Sequence, residues 1–516
     1  MLAKLNSMTL HGVEAHLISV EVDVSQGLGY TITGQPDEMV RESLSRVGVA
    51  IKACGFHMPR IKISVNLSPA HIPKTGAGFD LPIALGILIA SNQIGQPSTL
   101  SAYAVTGELG LDGEVHPVRS VLSMACQALK EKLTGLILPA GNYNEAALVG
   151  GLVIHPVRHL DDAVSLLKNH LNAIAPLPPV SVPPPEDLPD FCDVRGQERV
   201  KRALEVAGAG GHNILLIGQP GVGKTMLAKR LPSILPPMTP EEVLETSRLH
   251  NLAGMSLPGL IYHRPFRSPH HTASDVAIVG GGTIPMPGEI SLAHNGVLFL
   301  DELYEFKRSA IETLRQPLEE GRIRIARAKQ TLEYPADFML VAAMNPCFCG
   351  YYGSRTRPCT CSRRALQYYR QKTGGPLLER IDLHVEAEPV DQNEFNETGI
   401  LRESSQTIRD RVIKARLLQT DRFKEFPPIR SNARMPENQI DIHCSLDAAT
   451  RRYLINKINQ LQLSARAYSR ILKVSRTIAD LAASPGIELE HIAEAIGFRC
   501  LDRPIAAKSQ KPSNKS

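Results

Sequence analysis

Tryptophan is absent from this chain of 516 residues, and all aromatics together make up only 5%. Few rings are on hand to stack against unpaired bases, so any hold on a nucleic acid has to come from charge. Long apolar runs are missing as well. No stretch of eighteen uninterrupted apolar residues occurs, which speaks against a spanning helix, and Lys4, His11, Glu14 and Glu21 interrupt Met1 to Val24, which speaks against a secretory leader there. The expected setting is the cytoplasm, with no membrane partner. A strong excess of one charge is also lacking: 57 Lys and Arg face 52 Asp and Glu, a net +5, so a polyanion must find a local basic patch. With 43% hydrophobic and 21% charged residues the chain is neither disordered nor fibrous. Its length predicts about three domains, each with a core.

An even cysteine count is a further absence. There are nine, and four of them crowd into Cys347 to Cys361, a spacing that favours a metal site over a disulfide framework. Cys347-x-Cys349 and Cys359-x-Cys361 put four thiolates within reach of one zinc, with a reduced, metal-free cluster as the alternative.

The clearest boundary is Ala175 to Pro189, where repeated proline removes amide donors and fixes φ. The expected division is an α/β domain over 1–170, a Pro-rich linker over 171–190, a P-loop domain over 191–392, a helical region over 393–503 and a disordered basic tail over 504–516. Before the linker, β-branched runs (Leu17 to Val24, Ile61 to Leu67, Leu136 to Pro139) alternate with helical stretches (Asp37 to Cys54, Phe79 to Ala90, Val121 to Lys132). After it, Ile214 to Ile217 and Val297 to Leu300 read as buried parallel strands, and amphipathic stretches follow at Thr407 to Thr420, Leu446 to Leu461 and Ala465 to Ala483.

Gly218-Gln219-Pro220-Gly221-Val222-Gly223-Lys224-Thr225 fits GxxxxGK[ST], follows one of those strands and opens a helix expected over Met226 to Leu231. Glycines let backbone amides turn toward phosphates, Lys224 reaches the β/γ-phosphates of ATP, and Thr225 ligates magnesium. The strand Val297 to Leu300 then delivers Asp301 and Glu302 to its C-terminal end, where ligands of α/β sheets bind. Asp301 is the expected magnesium ligand and Glu302 the base that polarises water. A third strand, Phe338 to Met344, ends at Asn345, placed to align the same water.

Longer runs carry a resemblance: RPFRSPHHTAS (Arg264 to Ser274), VGGGTIPMPGEISLAHNGVLFLDEL (Val279 to Leu303), LRQPLEEG (Leu314 to Gly321) and VAAMNPCFCG (Val341 to Gly350). Over nearly its whole length the chain resembles the magnesium-chelatase-like AAA+ proteins of the ComM/YifB family. One departure is Phe348, where that family usually has proline. The resemblance implies a Lon-protease-like (ribosomal S5 domain 2-like) N-terminal domain, an AAA+ module and a C-terminal helical lid, assembled as a hexameric ring. It implies an ATP-driven helicase acting in branch migration on single-stranded and branched DNA during natural transformation. Within that frame Arg380 is the arginine finger offered to the next subunit, and Arg466 acts in the lid, with Arg470 a near-equal candidate.

Two insertions of the AAA+ module are the expected working surface. Ile278 to Ser291 is rich in Gly and Pro, and Arg322 to Tyr334 opens with Arg322-Ile323-Arg324-Ile325-Ala326-Arg327, followed by Lys329. The alternation sets Arg322 and Arg324 on one face of a hairpin, with Arg327 and Lys329 after a change of phase; a charged, solvated edge strand is the alternative. A protease needs a nucleophile and a base, and matching this chain to the Lon active site puts Gly78 and Leu122 at those positions, so proteolysis is expected to be lost. Ser68 and Lys74 are expected at the surface or in turns. A chelatase-type motor subunit, a protease remnant with a regulatory role and a non-enzymatic scaffold are the competing classes.

Overall fold

Alternating burial along Leu2–His11 (β1) and Glu14–Ser25 (β2) marks two strands with one face on a core, joined by a two-residue turn. The computed structural model describes residues 2–169, 171, 188–255, 260–282, 286–326, 331–354, 357–373, 377–389, 402–426 and 429–502. Tyr30–Thr33 (β3), Lys62–Ser68 (β4) and Tyr103–Val105 (β5) follow, then a short hairpin of Glu108–Leu109 (β6) and Val115–His116 (β7), then Gly135–Pro139 (β8) and Val153–Val157 (β9). Seven of these form one mixed sheet in the order β3-β4-β2-β1-β5-β8-β9.

The helix Asp80–Ala90 is apolar all round and buried along its entire length beneath this sheet, with Gly86 lying against Val22. Its one charge, Asp80, is fully buried and accepts from Arg46 Nε (2.8 Å) and Nη2 (3.1 Å) and from the Leu109 amide (3.3 Å). Removing Arg46 strands that carboxylate in the core, a loss of about 3–5 kcal/mol by the usual cost of breaking a buried pair. Asp37 caps the Glu38–Ala53 helix through the Val40 amide (2.8 Å) and also receives the Gly76 amide (3.0 Å).

The second sheet is wholly parallel. Its strands are Ile214–Gly218 (β10), Phe266–Arg267 (β11), Val297–Leu300 (β14), Met339–Met344 (β17) and Leu383–Ala387 (β18), in the order β11-β14-β17-β10-β18. Two hairpins lie between them, Gly280–Gly281 (β12) with Met286–Pro287 (β13), and Arg322–Ala326 (β15) with Thr331–Pro335 (β16). Both faces of the sheet are covered, which is why its strands read as unbroken apolar runs. Ile214, Leu216, Val297, Phe299, Val341 and Ala343 enter one core, while Leu215, Ile217, Leu298, Leu300, Leu340 and Ala342 enter the other.

The C-terminal helices Ser405–Arg422, Glu437–His443, Ala448–Leu461, Ala465–Leu481 and Leu489–Gly497 close the first of those cores. Ser404, Asp447 and Ser464 start three of them, each side chain accepting a backbone amide three residues on. The N-terminal unit meets the second sheet through the helix Pro240–Leu252, where Arg248 donates to the Val13 carbonyl (2.7 Å) and to Ser123 Oγ (3.2 Å). Most of the Pro-rich segment and the tail after Asp502 lie outside the described residues.

Candidate functional site

Three strands of the parallel sheet end side by side, and their C-terminal ends hold the residues singled out in the sequence. β10 runs into Gly218 to Gly223, and Gly223, at φ +90°, lets the chain reverse into the helix Lys224–Ala228. That helix ends earlier than expected from the sequence, and a second, Leu231–Ile234, follows with proline in its first turn. Lys224 Nζ donates to the carbonyls of Gly218 (2.7 Å) and Gln219 (3.0 Å) and to Asn345 Oδ1 (3.2 Å) at the end of β17. Thr225 Oγ1 donates to Asp301 Oδ2 at 2.6 Å. Burial lowers the pKa of the Lys224 ammonium, while Asp301 and Glu302 nearby hold it up. Asp301 also accepts the Glu302 amide at 2.9 Å, and Glu302 itself turns into the left-handed region at φ 51°. Such a conformation in a non-glycine residue marks backbone held against its preference, which is common where function fixes a side chain.

Lys224, Thr225, Asp301, Glu302 and Asn345 are thus brought together, and the sequence missed two of their neighbours. His271 places Nδ1 3.7 Å from Glu302 Oε2 and packs at a tilt against His270, ring centroids 4.2 Å apart. Gln197 reaches across to the Val222 carbonyl (3.4 Å) and the Glu388 carbonyl, tying the glycine-rich loop to the end of β18. The signal for His271 lay in the run Arg264 to Ser274, whose arginines turn out to be structural. Arg264 binds Glu242 (3.0 Å) and the Asn295 carbonyl (2.7 Å), and Arg267 makes a two-pronged pair with Glu289 at 2.7 and 2.6 Å.

Arg380 stands at the opposite edge of the sheet, just before β18. Its backbone carbonyl accepts from Asn213 (3.2 Å) and Arg470 (3.1 Å), and its side chain is buried against Glu319. Arg466 joins it there through an ion pair of its neighbour, Arg466 Nη1 to Glu379 Oε2 at 2.8 Å. Arg470 pairs instead with Asp382, a fully buried carboxylate whose pKa burial pushes up but Arg470, His212 and the Asn213 amide draw far down. A cleft of about 950 Å³ between the sheet edge and the C-terminal helices is lined by Arg380, Arg466, Arg470, Arg416, Arg430 and Arg434 among others. Neither Arg380 nor Arg466 faces the chain's own Lys224.

Beyond Asn345 the four cysteines fold back on one another. Sulfur separations are 3.3 Å (Cys347 to Cys349), 3.7 Å (Cys347 to Cys359) and 3.5 Å (Cys349 to Cys359), and Cys361 completes a group whose ligand atoms all lie within 4.8 Å. Four thiolates about 2.3 Å from one zinc stand roughly 3.8 Å apart, so the set fits a tetrahedral site. Burial pushes the Cys347 thiol up to about 12; at Cys349 burial opposes ionisation, yet the Tyr351 and Thr360 amides and neighbouring thiols bring it down to about 5. The loop also touches the glycine-rich loop after β10, because Gly350 lies so close to Pro220 that a β-carbon would come within 2.8 Å of it. Scarce as they are, rings gather here. Tyr304, two residues after Glu302, stacks on Tyr369 at 4.4 Å, Phe348 packs edge-on against both, and Tyr369 donates to the Asn345 carbonyl at 2.9 Å.

On the hairpin β15–β16 the expected alternation holds at its start: Arg322 and Arg324 are exposed and Ile323 and Ile325 buried. Both arginines pair with Glu333 on the opposite strand, at 2.6 and 2.9 Å. Arg327 and Lys329 lie outside the described residues. In the N-terminal unit a β-carbon added at Gly78 meets Thr106 Oγ1 at 2.9 Å, and Leu122 is buried. Ser68 is half-buried at the end of β4, but the expectation for Lys74 fails. Its side chain is fully buried and donates to the Pro69 carbonyl, because the turn folds over it.

Comparison with known proteins matches three stretches of the chain to family models. The family described as magnesium chelatase, subunit ChlI, matches residues 190–395, its C-terminal part matches 402–499, and a further ChlI family matches 20–142. Competence protein ComM of Haemophilus influenzae is 42% identical over 99% of both chains, and YifB of Escherichia coli is 42% identical over 95% of this chain and 96% of its own. The magnesium-chelatase 67 kDa subunit of Chlorobaculum parvum is 27% identical over 30% of this chain and 23% of its own. From end to end, then, this chain belongs to the ComM/YifB family of magnesium-chelatase-like AAA+ proteins.

Proposed function

We propose that the chain is an ATP-driven motor on DNA, working in the cytoplasm as a hexameric ring in branch migration during natural transformation. What carries this reading is the split of the charged machinery between two edges of one parallel sheet. Lys224, Thr225, Asp301, Glu302 and Asn345 gather at the C-terminal edge, while Arg380 and Arg466 stand at the other. One subunit therefore presents a phosphate site without its arginines and arginines without a phosphate, an arrangement that a head-to-tail ring completes. Arg466 belongs with Arg380 in this reading, as a lid residue that faces the neighbour.

Within the site, Lys224 and the loop amides bind the β/γ-phosphates. Thr225 and Asp301, joined at 2.6 Å, would hold the magnesium of ATP, which would supply charge neutralisation to the phosphates. Glu302 takes a proton from the attacking water, and Asn345 fixes that water in line. The division at 1–170, 171–190, 191–392, 393–503 and 504–516 is the domain plan we propose, with the Lon-like unit as a collar. Gly78 and Leu122 leave it neither nucleophile nor base, and casein degradation is expected to be nil. The competence link rests on the family relative from Haemophilus influenzae. Measuring ATP turnover with and without DNA tests the reading, and a chelatase-type subunit would show no such response.

We assign the four cysteines to one structural zinc. About one zinc per chain is expected by elemental analysis of protein purified without chelator. Because Gly350 rests on Pro220, stripping that zinc is expected to raise KM for ATP several-fold. Four freely alkylated thiols and no metal in the folded protein would remove the assignment.

Hairpin residues Arg322 and Arg324, with Arg327 and Lys329, are assigned to DNA phosphates. Glu333 holds the first two in exposed pairs, which a phosphate replaces. Each phosphate contact on single-stranded DNA contributes about 0.7 to the slope of log affinity against log salt. Arg322→Ala with Arg324→Ala is therefore expected to flatten that slope by roughly 1.4 and to weaken binding irrespective of sequence. Glu333→Gln is expected to tighten it. An unchanged slope in the double variant moves the DNA path elsewhere.

A further inference from the structure

Glu319 forms an ion pair with the proposed finger, and its place in the chain gives that contact a second end. It lies in the last turn of the helix Arg315–Glu320, which Gly321 terminates, and Arg322 immediately begins β15. A carboxylate in a helix's last turn faces the negative end of the helix dipole, so by itself it is unfavourably placed. The Arg380 guanidinium offsets this, and Arg434 assists from the C-terminal helices by donating to the Leu318 carbonyl at 2.7 Å. The Arg380 backbone is anchored at the sheet edge, where its carbonyl accepts from Asn213 and Arg470, so any movement is that of its side chain. The more exposed partner of the pair is Glu319, whose side chain is 55% exposed against 7% for Arg380.

We propose that Glu319 is a latch that holds Arg380 back from the neighbouring site and couples that site to the basic hairpin. A γ-phosphate arriving from the next subunit takes over the guanidinium. Glu319 then loses its counter-charge at the wrong end of a helix dipole, and the turn at Gly321 that carries β15 is freed to shift. The coupling also runs in reverse: DNA phosphates drawing Arg322 toward them pull on the same turn, loosen Glu319 and release Arg380 for catalysis. Glu319 is a positioning residue here, since it touches neither nucleotide nor DNA. The inference rests on Arg380 acting in trans and on the hairpin meeting DNA.

The test compares full-length Glu319→Gln, Glu319→Asp and Arg380→Ala proteins for ATP turnover with and without single-stranded DNA. Loss of the latch charge in Glu319→Gln is expected to raise DNA-free turnover several-fold, to bring the ratio of stimulated to basal rate close to one, and to leave KM for ATP unchanged. Glu319→Asp keeps the charge and is expected to restore stimulation. A proportional fall of both rates in Glu319→Gln, or rates indistinguishable from the parent chain, overturns the latch. Arg380→Ala separates the two failures: if it hydrolyses ATP normally, the finger reading falls, whereas an inactive Arg380→Ala beside an unaltered Glu319→Gln leaves the finger standing and removes only the latch. Should DNA fail to stimulate the parent chain, the rise in basal turnover alone decides. Glu319→Ala serves as a second uncharged variant if the glutamine protein does not fold.

Discussion

Glu302→Gln protein is expected to bind ATP with near-normal affinity and to hydrolyse it at least ~100-fold more slowly, a barrier increase of about 2.7 kcal/mol. The amide keeps the shape of the carboxylate but no longer accepts a proton, while the groups that grip phosphate are untouched. Lys224 keeps its bonds to the Gly218 and Gln219 carbonyls and to Asn345, and Thr225 keeps Asp301. Lys224→Ala should show the opposite signature, with nucleotide binding itself weakened. Equilibrium binding of a fluorescent ATP analogue beside steady-state turnover separates the two. Near-normal turnover by Glu302→Gln would transfer the base to another group, and His271, 3.7 Å from Glu302, is the first to examine.

Mixing two inactive proteins is expected to restore activity. Arg380→Ala subunits retain the phosphate site, Lys224→Ala subunits retain the finger, and a head-to-tail ring sets one against the other. With random mixing in equal amounts about one quarter of the interfaces carry neither defect, so recovery approaching a quarter of the parent rate is expected if interfaces act independently. Mixtures as inactive as their components, despite demonstrated co-assembly, would place Arg380 outside the neighbour's site. The geometry already limits the choice, because Arg380 is rooted at the edge of the sheet away from its own Lys224.

The strand ends that gather the residues singled out in the sequence were legible where a motif requires fixed residue types at fixed places. A strand that opens a glycine-rich loop, and a second that ends in two carboxylates, leave little freedom, and β10, β14 and β17 end close to where the apolar runs do. The expected start of the third strand, Phe338, differs from Met339 by one residue. Contacts between distant segments were not legible. Nothing in LRQPLEEG shows that Glu319 reaches Arg380, which lies 61 residues on, and nothing in Gln197 shows that it braces the phosphate loop. A low overall aromatic content likewise hid the local gathering of Tyr304, Phe348 and Tyr369 beside the catalytic strand. Lys74 was misjudged because lysine is rarely buried, whereas here the Pro69 carbonyl gives its ammonium a partner inside the fold.

In the reading we propose, the N-terminal unit keeps a fold and has lost an activity. Its seven-stranded sheet and the buried Asp80–Arg46 pair are intact structural features, yet the position matched to a nucleophile is a glycine pressed against Thr106 and the position matched to its base is a buried leucine. Arg248 fastens this unit to the helix beside the parallel sheet through Val13 and Ser123, a contact that the proposed collar requires.

The most direct measurement is the rate of ATP turnover by the full chain alone and with single-stranded, duplex and forked DNA at one fixed salt concentration. Single-stranded and forked DNA are expected to raise the rate several-fold, with the effect fading as salt rises because the contacts are to phosphate. A rate that no form of DNA changes would contradict a motor on DNA, even with every residue of the phosphate site in place.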